Sequence, residues 1–210
     1  MKKPLILIGG GGHAKSCIDV IEVEDSFYIE GILDLKERVG EKVLGYDIIG
    51  TEDLLEELRD RNYSFFISVG QIESAMIRRQ IWNRLRAIGA QIATVISPGA
   101  SVSKHAKISA GTIVMHGARI NAGAELGFNN IINTNAVIEH DTIVGNHCHI
   151  STQSIINGSC RISDEVFIGS GAVVLQGVEI TSNVTVGAST LVNKPIRHPG
   201  IYIGIPFARI

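Results

Sequence analysis

Two histidines in the middle of the chain have the residue types and neighbours that proton transfer needs. His140 lies between Glu139 and Asp141, and His149 follows nine residues later. Imidazole titrates near neutral pH and accepts a proton readily, and a carboxylate beside it orients the ring and raises its basicity. Such a group could take the proton of an attacking amine or hydroxyl. Taken alone, however, the residues favour an exposed histidine at a surface turn without a catalytic role.

A second candidate site lies near the start of the chain. The apolar run Leu5–Ile8 is followed by Gly9-x-Gly11-x-x-Ala14, and Asp34 comes about 20 residues later. This is the pattern of a dinucleotide-binding turn, in which a helix N-terminus receives a diphosphate and an acidic residue binds ribose hydroxyls. A glycine-rich turn that only packs a helix on a sheet is the alternative interpretation.

The length of the N-terminal part limits what this turn could bind. Only about 90 residues precede the next domain, which leaves room for one mononucleotide-binding half rather than two. An NAD-dependent redox enzyme is therefore disfavoured. A nucleotide joined to another group, such as a nucleotide sugar, fits better.

A strict period of six residues runs through the second half of the sequence. Stepping by six from Ile96 to Val192 gives seventeen positions, and every one is Ile, Val or Leu. A helix repeats at 3.6 residues and a strand at 2, so this period predicts short strands joined by tight corners. Three sides make a coil of 18 residues. The pattern predicts a left-handed parallel β-helix of hexapeptide repeats, with small residues where neighbouring walls converge.

The N-terminal part alternates between strand and helix patterns. These patterns predict a small α/β domain, Rossmann-like with a parallel sheet, over residues 1–92, and the β-helix domain with a C-terminal cap over residues 93–210. Thr51 is the predicted N-cap of one helix. The predicted strands are 5–8, 27–34, 43–49 (a short extended segment) and 63–69, and the predicted helices are 13–24, one beginning at 51, and 74–88.

Composition narrows the classes of function. The net charge is −2 without a basic block, which argues against nucleic acid. No apolar run approaches the roughly 18 residues of a membrane span, and Leu5–Ile8 is too short for a signal peptide. The three cysteines, Cys17, Cys148 and Cys160, are odd in number and scattered, which suits a reducing compartment. We therefore predict a cytoplasmic protein.

The combination of both halves resembles one family: the bacterial hexapeptide-repeat sugar acetyltransferases that include the bacillosamine-pathway N-acetyltransferase and the sialic acid O-acetyltransferase. The resemblance covers essentially the whole chain. The residues that carry it are Gly11-Gly-His13-Ala-Lys, Ile32-Leu-Asp34, Ser68-Val-Gly70, Ile132-Asn-Thr-Asn-Ala-Val-Ile-Glu-His140-Asp141, His149-Ile-Ser and Gly204-Ile-Pro206-Phe-Ala-Arg209.

The resemblance implies acetyl-CoA as co-substrate, no metal, a small-molecule nucleotide sugar as partner and a homotrimer. It makes His140 the general base, with Asp141 where the family usually has Glu; Glu139 remains a possible helper. It places His149 beside the thioester, where a hydrogen bond to the carbonyl oxygen would stabilise the developing negative charge. It further implies CoA contacts at Gly158, Ser170 and Ala188, a substrate or base-orienting contact at Asn133, and nucleotide-sugar contacts at Gly11, Gly12, His13, Asp34 and Gly70.

The expected function is acetyl transfer to the amine of a nucleotide-linked sugar, a UDP-4-amino-4,6-dideoxy sugar for a surface glycan. The alternative is O-acetylation of sialic or a related nonulosonic acid, which the stretch 156–170 resembles more. A non-catalytic nucleotide-binding trimer and a zinc-dependent carbonic anhydrase with His140, His147 and His149 are more distant alternatives. Cys148 falls on one of the small inward positions of the six-residue repeat, so its sulfur should face the core. His147-Cys148-His149 is therefore disfavoured as a metal site.

Overall fold

The computed structural model describes residues 2–205 and 207–209. Pro206, which is part of the C-terminal resemblance motif, lies outside the described residues. The chain forms two compact units. The first comprises Met1–Gly70 and Met76–Val95, and the second comprises Gln71–Ala75 and Ile96–Ile210. A five-residue segment of the N-terminal half therefore belongs to the second unit.

A six-stranded sheet organises the first unit, in the order β3-β4-β2-β1-β5-β6. All neighbouring strands are parallel except the hairpin of β3 and β4. The strands are β1 (Lys3–Ile8), β2 (Phe27–Leu33), β3 (Lys42–Val43), β4 (Tyr46–Gly50), β5 (Ser64–Ile67) and β6 (Gln91–Ile92), and the helices are α1 (Gly12–Glu24), α2 (Leu55–Asp60) and α3 (Met76–Ala87). Short 3-10 helices lie at Lys36–Arg38 and Glu52–Leu54.

The parallel arrangement brings three loops to one edge of this sheet. The glycine loop follows β1, Asp34 follows β2, and Gly70 follows β5. Carboxyl ends of parallel strands share an edge, which is where open α/β sheets bind ligands. Leu5–Ile8 is buried throughout, as expected for a central parallel strand covered on both faces.

The second unit is a parallel β-helix made of very short strands. Most strands pair with the strand 18 residues further along, as in Arg119 with Val137 and Ile131 with His149. At the end of the chain, Gly200–Gly204 pairs parallel with Val184–Val186 and antiparallel with Phe207–Arg209. The strands form three walls, which we call sheet I (β7, β10, β13, β16, β19, β22, β24, β25), sheet II (β8, β11, β14, β17, β20, β23) and sheet III (β9, β12, β15, β18, β21).

The bounds of these strands follow the six-residue period. They are β7 Val95–Ile96, β8 Ser101–Val102, β9 Lys107–Ile108, β10 Ile113–Val114, β11 Arg119–Ile120, β12 Glu125–Leu126, β13 Ile131–Ile132, β14 Val137–Ile138, β15 Ile143–Val144, β16 His149–Ile150, β17 Ile155–Ile156, β18 Arg161–Ile162, β19 Phe167–Ile168, β20 Val173–Val174, β21 Glu179–Ile180, β22 Val184–Val186, β23 Leu191–Val192, β24 Gly200–Gly204 and β25 Phe207–Arg209.

The aliphatic residues at every sixth position form the core of the three-walled β-helix, which we call the prism. Its members from Val114 to Val192 are buried, and Ile96, Val102 and Ile108 pack against them partly exposed. From residue 111 to residue 189, the corners contain residues with positive φ at every sixth position, from Gly111 (φ 76°) through Asp141 (φ 58°) to Ser189 (φ 55°). Gly, Asn and Asp tolerate this conformation best, which explains their frequency at the corners.

The predicted fold class is confirmed, and three local elements differ from expectation. The segment predicted as extended over 43–49 is the β3–β4 hairpin, which turns at Leu44 and Gly45 with φ of 49° and 91°. Thr51 caps a 3-10 turn before α2, with Oγ1 accepting from the Asp53 amide. Helix α3 begins at Met76 rather than at residue 74 because the preceding residues belong to the second unit. Among the described residues, no helix is long and apolar enough to cross a membrane.

Candidate active site

The turn between β14 and β15 carries the candidate base, at the edge where sheets II and III meet. His140 Nδ1 lies 2.9 Å from Asp141 Oδ2, and the two side chains are 53% and 68% exposed. The shorter carboxylate therefore reaches the ring. Because a carboxylate only accepts hydrogen bonds, Nδ1 carries the hydrogen and Nε2 of the neutral ring presents a lone pair.

Glycines above and below make room for this pair of side chains. A Cβ at Gly158, one coil after His140, would lie 2.5 Å from His140 Nε2. A Cβ at Gly123, one coil before Asp141, would lie 2.5 Å from Asp141 Oδ1. The ring of His140 thus lies directly over the backbone of Gly158.

Glu139 is engaged elsewhere. Its Oε2 accepts a hydrogen bond from Asn121 Nδ2 at 2.7 Å, across neighbouring coils. The geometry thus pairs His140 with Asp141 rather than with Glu139.

His149 lies on another part of the prism, in β16 of sheet I, and is 7% exposed. Its Nδ1 is 2.6 Å from the carbonyl oxygen of Gln71, and its Nε2 is 3.2 Å from Asn133 Nδ2. The ring of Phe167 packs against it at 5.1 Å in an edge-on arrangement. The sequence did not point to Gln71, because the contact uses its backbone and spans 78 residues.

The predicted CoA contacts Ser170 and Ala188 lie on successive coils at the edge between sheets I and II. Ser170 Oγ is 3.0 Å from Ser151 Oγ. The missing side chain of Gly169 lets the backbone of the next coil approach, since a Cβ there would lie 2.5 Å from the Ala188 nitrogen. Asn133 is at the same edge, two coils before Ser170.

The predicted site residues of the second unit therefore form two groups. His140, Asp141 and Gly158 are at the edge between sheets II and III; Asn133 and Ser170 are at the edge between sheets I and II, beside His149 in sheet I. Within the part of the chain that the structure describes, no hydrogen bond joins His140 to His149.

In the first unit, the four glycines of the loop after β1 have different surroundings. Gly9 has φ of 100°, and a Cβ at Gly10 would lie 2.8 Å from Asp34 Oδ2. A Cβ at Gly11 or Gly12 would meet no protein atom within 4 Å. Helix α1 begins at Gly12, and its N-cap Gly11 has no side-chain cap. The open space thus lies at the positive end of the helix, where anions bind.

Asp34 is held by the residues around it. Its Oδ2 accepts from the Gly10 amide at 2.7 Å and from Arg38 at 2.6 Å, and its Oδ1 accepts from the Leu35 amide at 2.8 Å. Arg38 also bonds Glu41 at 3.0 Å. Arg38 was not among the predicted site residues, although a basic residue four positions after the acidic one is a usable signal in this fold.

His13 and Gly70 lie close together at the same sheet edge. A Cβ at Gly70 would lie 3.2 Å from the Cβ of His13. The loops after β1 and β5 thus approach each other. All five predicted nucleotide-sugar residues lie at this edge, either in its loops or in the first turn of α1.

The residues around Cys148 are engaged within the scaffold. Its sulfur faces the core and lies 3.1 Å from the Ser163 carbonyl oxygen, and burial raises the pKa of this thiol to about 12. His147 Nδ1 lies 2.9 Å from Asn129 Nδ2. Among the described residues, no group of three or more His, Cys, Asp or Glu side chains is arranged to hold a metal ion.

Comparison with known proteins matches both parts of the chain. Residues 4–85 match the family model for the PglD N-terminal domain, and residues 159–194 match the model of six bacterial transferase hexapeptide repeats. The acetyltransferase domain of PglB from Neisseria gonorrhoeae FA1090 is 32% identical, with full coverage of both chains and a TM-score of 0.91. A structure of that domain contains acetyl coenzyme A.

A second similar structure is a variant of perosamine N-acetyltransferase from Caulobacter crescentus, in complex with CoA and GDP-perosamine. It is 30% identical over 99% of this chain and 96% of its own, with a TM-score of 0.92. WeeI from Acinetobacter baumannii AYE covers both chains fully at 18% identity and a TM-score of 0.80, a likeness that shows the fold alone. No curated protein matches the chain by sequence.

An α/β domain followed by a hexapeptide β-helix, together with these matches, defines an acyltransferase of the hexapeptide-repeat class. Within that class, the chain belongs to the sugar acetyltransferase family that includes the PglB acetyltransferase domain and perosamine N-acetyltransferase.

Proposed function

We propose that this protein transfers the acetyl group of acetyl-CoA to the amine of a nucleotide-linked amino sugar used in surface glycan synthesis. The observation that carries the proposal is the exposed pair of His140 and Asp141, 2.9 Å apart, in a chain whose full length resembles N-acetyltransferases. A UDP-4-amino-4,6-dideoxy sugar is the first acceptor to test. A GDP-linked amino sugar is the second, because perosamine N-acetyltransferase is in complex with GDP-perosamine.

His140 is the general base of the proposed reaction. Asp141 binds Nδ1, so Nε2 is left to accept a proton. The sugar amine nitrogen attacks the thioester carbon and a carbon–nitrogen bond forms. The carbon–sulfur bond breaks, CoA leaves as the thiolate with the electron pair, and His140 takes the proton of the amine.

The loops after β1, β2 and β5 are the proposed holders of the nucleotide sugar. Space beside Gly11 and Gly12 would let a diphosphate approach the amides of α1. Arg38 places a cation at the same edge, where a guanidinium suits phosphate oxygens. Asp34 holds both Gly10 and Arg38, so it shapes this site even where its carboxylate does not touch the ligand.

In the proposed site, the CoA part of acetyl-CoA lies along Ser170 and Ala188, and the thioester lies near Gly158 and His149. These residues lie at two edges and one wall of the prism, so a site that contains them all needs a neighbouring chain. Four of the six outward residues of sheet II are apolar and favour such an assembly, namely Val137, Ile155, Val173 and Leu191, whereas Ser101 and Arg119 at its beginning are polar. The outward residues of sheet III are mostly charged.

We therefore propose a homotrimer with shared active sites, and sedimentation at micromolar concentration tests it. A monomer would contradict the assembly. Nucleotide sugars and acetyl-CoA are metabolites of the reducing cytoplasm, and three buried thiols fit that compartment.

The direct experiment incubates the protein with acetyl-CoA and each candidate nucleotide amino sugar and follows thiol release. The three cysteines are buried, so they add little background to a thiol reagent. We expect turnover with an amino sugar, no turnover with the corresponding hydroxyl sugar, and loss of activity in His140→Ala. Full activity of His140→Ala, or turnover with no amino sugar, would contradict the proposal.

A further inference from the structure

The hydrogen bonds around His149 determine which of its nitrogens carries the hydrogen. A backbone carbonyl only accepts, so the 2.6 Å contact with Gln71 requires a hydrogen on Nδ1. Asn133 Oδ1 accepts from the Thr134 amide at 2.8 Å, which turns the amide nitrogen of Asn133 towards the ring. That nitrogen only donates, so Nε2 of His149 is an acceptor. The ring is the neutral Nδ1–H tautomer.

This tautomer limits what His149 does for a thioester. A neutral ring with its hydrogen on Nδ1 offers no hydrogen from Nε2 to a carbonyl oxygen. Protonating it would turn Nε2 into a donor that faces the donor nitrogen of Asn133, in a position where the ring is only 7% exposed.

Asn133 has the donor that His149 lacks. Its amide nitrogen carries two hydrogens and uses one towards His149. The second makes no hydrogen bond to any residue in the described part of the chain. Asn133 as a residue is half-buried rather than fully enclosed. Its direction is set from both sides, by Thr134 at the oxygen and by His149 at the nitrogen.

We propose that Asn133 donates the hydrogen bond to the thioester oxygen as that oxygen gains negative charge, and that His149 is a neutral positioning residue. His149 holds the amide of Asn133 in place, and through Gln71 it also holds the segment Gln71–Ala75 on the β-helix. This assignment rests on the proposed acetyl transfer. It gives Asn133 the role that the family resemblance suggests for His149.

The first test measures kinetics with the full-length enzyme. Removing one donor to a developing oxyanion typically lowers kcat by about 10²- to 10³-fold. We expect that loss in Asn133→Ala and Asn133→Asp, with KM for acetyl-CoA changed less than about threefold, since the bond strengthens only in the transition state. Asn146→Ala is the matched control, because Asn146 is another half-buried corner asparagine, bonded to Asp164. It should keep wild-type kcat. Wild-type kcat in Asn133→Ala would overturn the proposal.

The second test needs no substrate. Nitrogen NMR of protein labelled at histidine reports the tautomer of each ring, and His149→Gln identifies the signal. We expect the Nδ1–H form from pH 6 to 9. A Nε2–H form, or an imidazolium at neutral pH, would overturn the assignment. This readout stands even if no sugar is acetylated, so failure of the proposed function and failure of this inference are distinguishable.

A third measurement checks the positioning role. In His149→Asn the amide nitrogen lies near the place of Nδ1 and still donates to Gln71, whereas His149→Phe loses both bonds. Hydrogen exchange at residues 71–75 should therefore rise in His149→Phe and stay near wild type in His149→Asn. Equal exchange in both variants would contradict the tether.

Discussion

Replacing Gly158 with alanine should inactivate the enzyme without unfolding it. The new Cβ would lie 2.5 Å from His140 Nε2 and 2.6 Å from its Cε1, and the three nearest atoms all belong to that ring. Non-bonded heavy atoms need about 3.5 Å, so the ring must move by about 1 Å. A misplacement of about 1 Å at a reacting group costs on the order of 10²-fold in rate.

The fold should tolerate this change. The side chain of His140 is 53% exposed, so it can move into solvent. Gly158 does not have a positive φ, so alanine adds no backbone strain. We expect the free energy of unfolding to change by less than about 0.5 kcal/mol, because the atoms that the new Cβ would meet belong to this exposed ring. Gly99→Ala is the matched control, because its Cβ would meet Ser97 Oγ at 3.4 Å and His116 Nδ1 at 3.9 Å, both without a severe clash.

Thiol release gives kcat for each variant, and thermal unfolding gives its stability. If Gly158 acts only by leaving room for the ring, the double variant with His140→Ala should be no slower than His140→Ala alone, since residues that act as one unit are not additive. Wild-type kcat in Gly158→Ala would refute the reasoning. A double variant far slower than His140→Ala would show that Gly158 acts through CoA instead.

Three further outcomes follow from the contacts. Asp141→Asn should lower kcat by about 10- to 100-fold, because the ring of His140 loses its anionic partner. Glu139→Gln should keep kcat within about twofold of the wild type. The reverse order would contradict the pairing seen at His140. Asp34→Ala should raise KM for the nucleotide sugar more than KM for acetyl-CoA, since the Gly10 amide loses its acceptor; equal changes would place Asp34 elsewhere in the mechanism. The buried Cys148 thiol has its pKa raised from 9.0 to about 12, so the unfolded state loses this proton first and stability falls as pH rises above 9. The free energy of unfolding should fall by up to about 1.4 kcal/mol per pH unit for this thiol. Between pH 8 and 10.5, urea unfolding should show a smaller decrease in Cys148→Ala than in the wild type; an identical decrease would contradict this prediction.

Two regular patterns made much of the molecule predictable. The aliphatic residue at every sixth position marks the inward side of each wall, because a β-helix repeats its environment once per side. The glycine loop after Leu5–Ile8 and the strand–helix alternation mark the parallel sheet in the same local way. The resemblance motifs indicated the candidate site residues, but their spacing in the chain contained no information on which would touch.

The tertiary structure decided the contacts that join distant residues. The choice between Asp141 and Glu139 depends on Asn121, which lies one coil away from Glu139. The position of Gln71–Ala75 depends on a bond from His149, 78 residues further on. Periodicity describes each residue's own environment, and such contacts depend on how separate coils and loops stack. The sequence alone therefore determined the scaffold and the candidate residues, whereas the stacking of the coils decided the hydrogen-bond partners of His140 and His149.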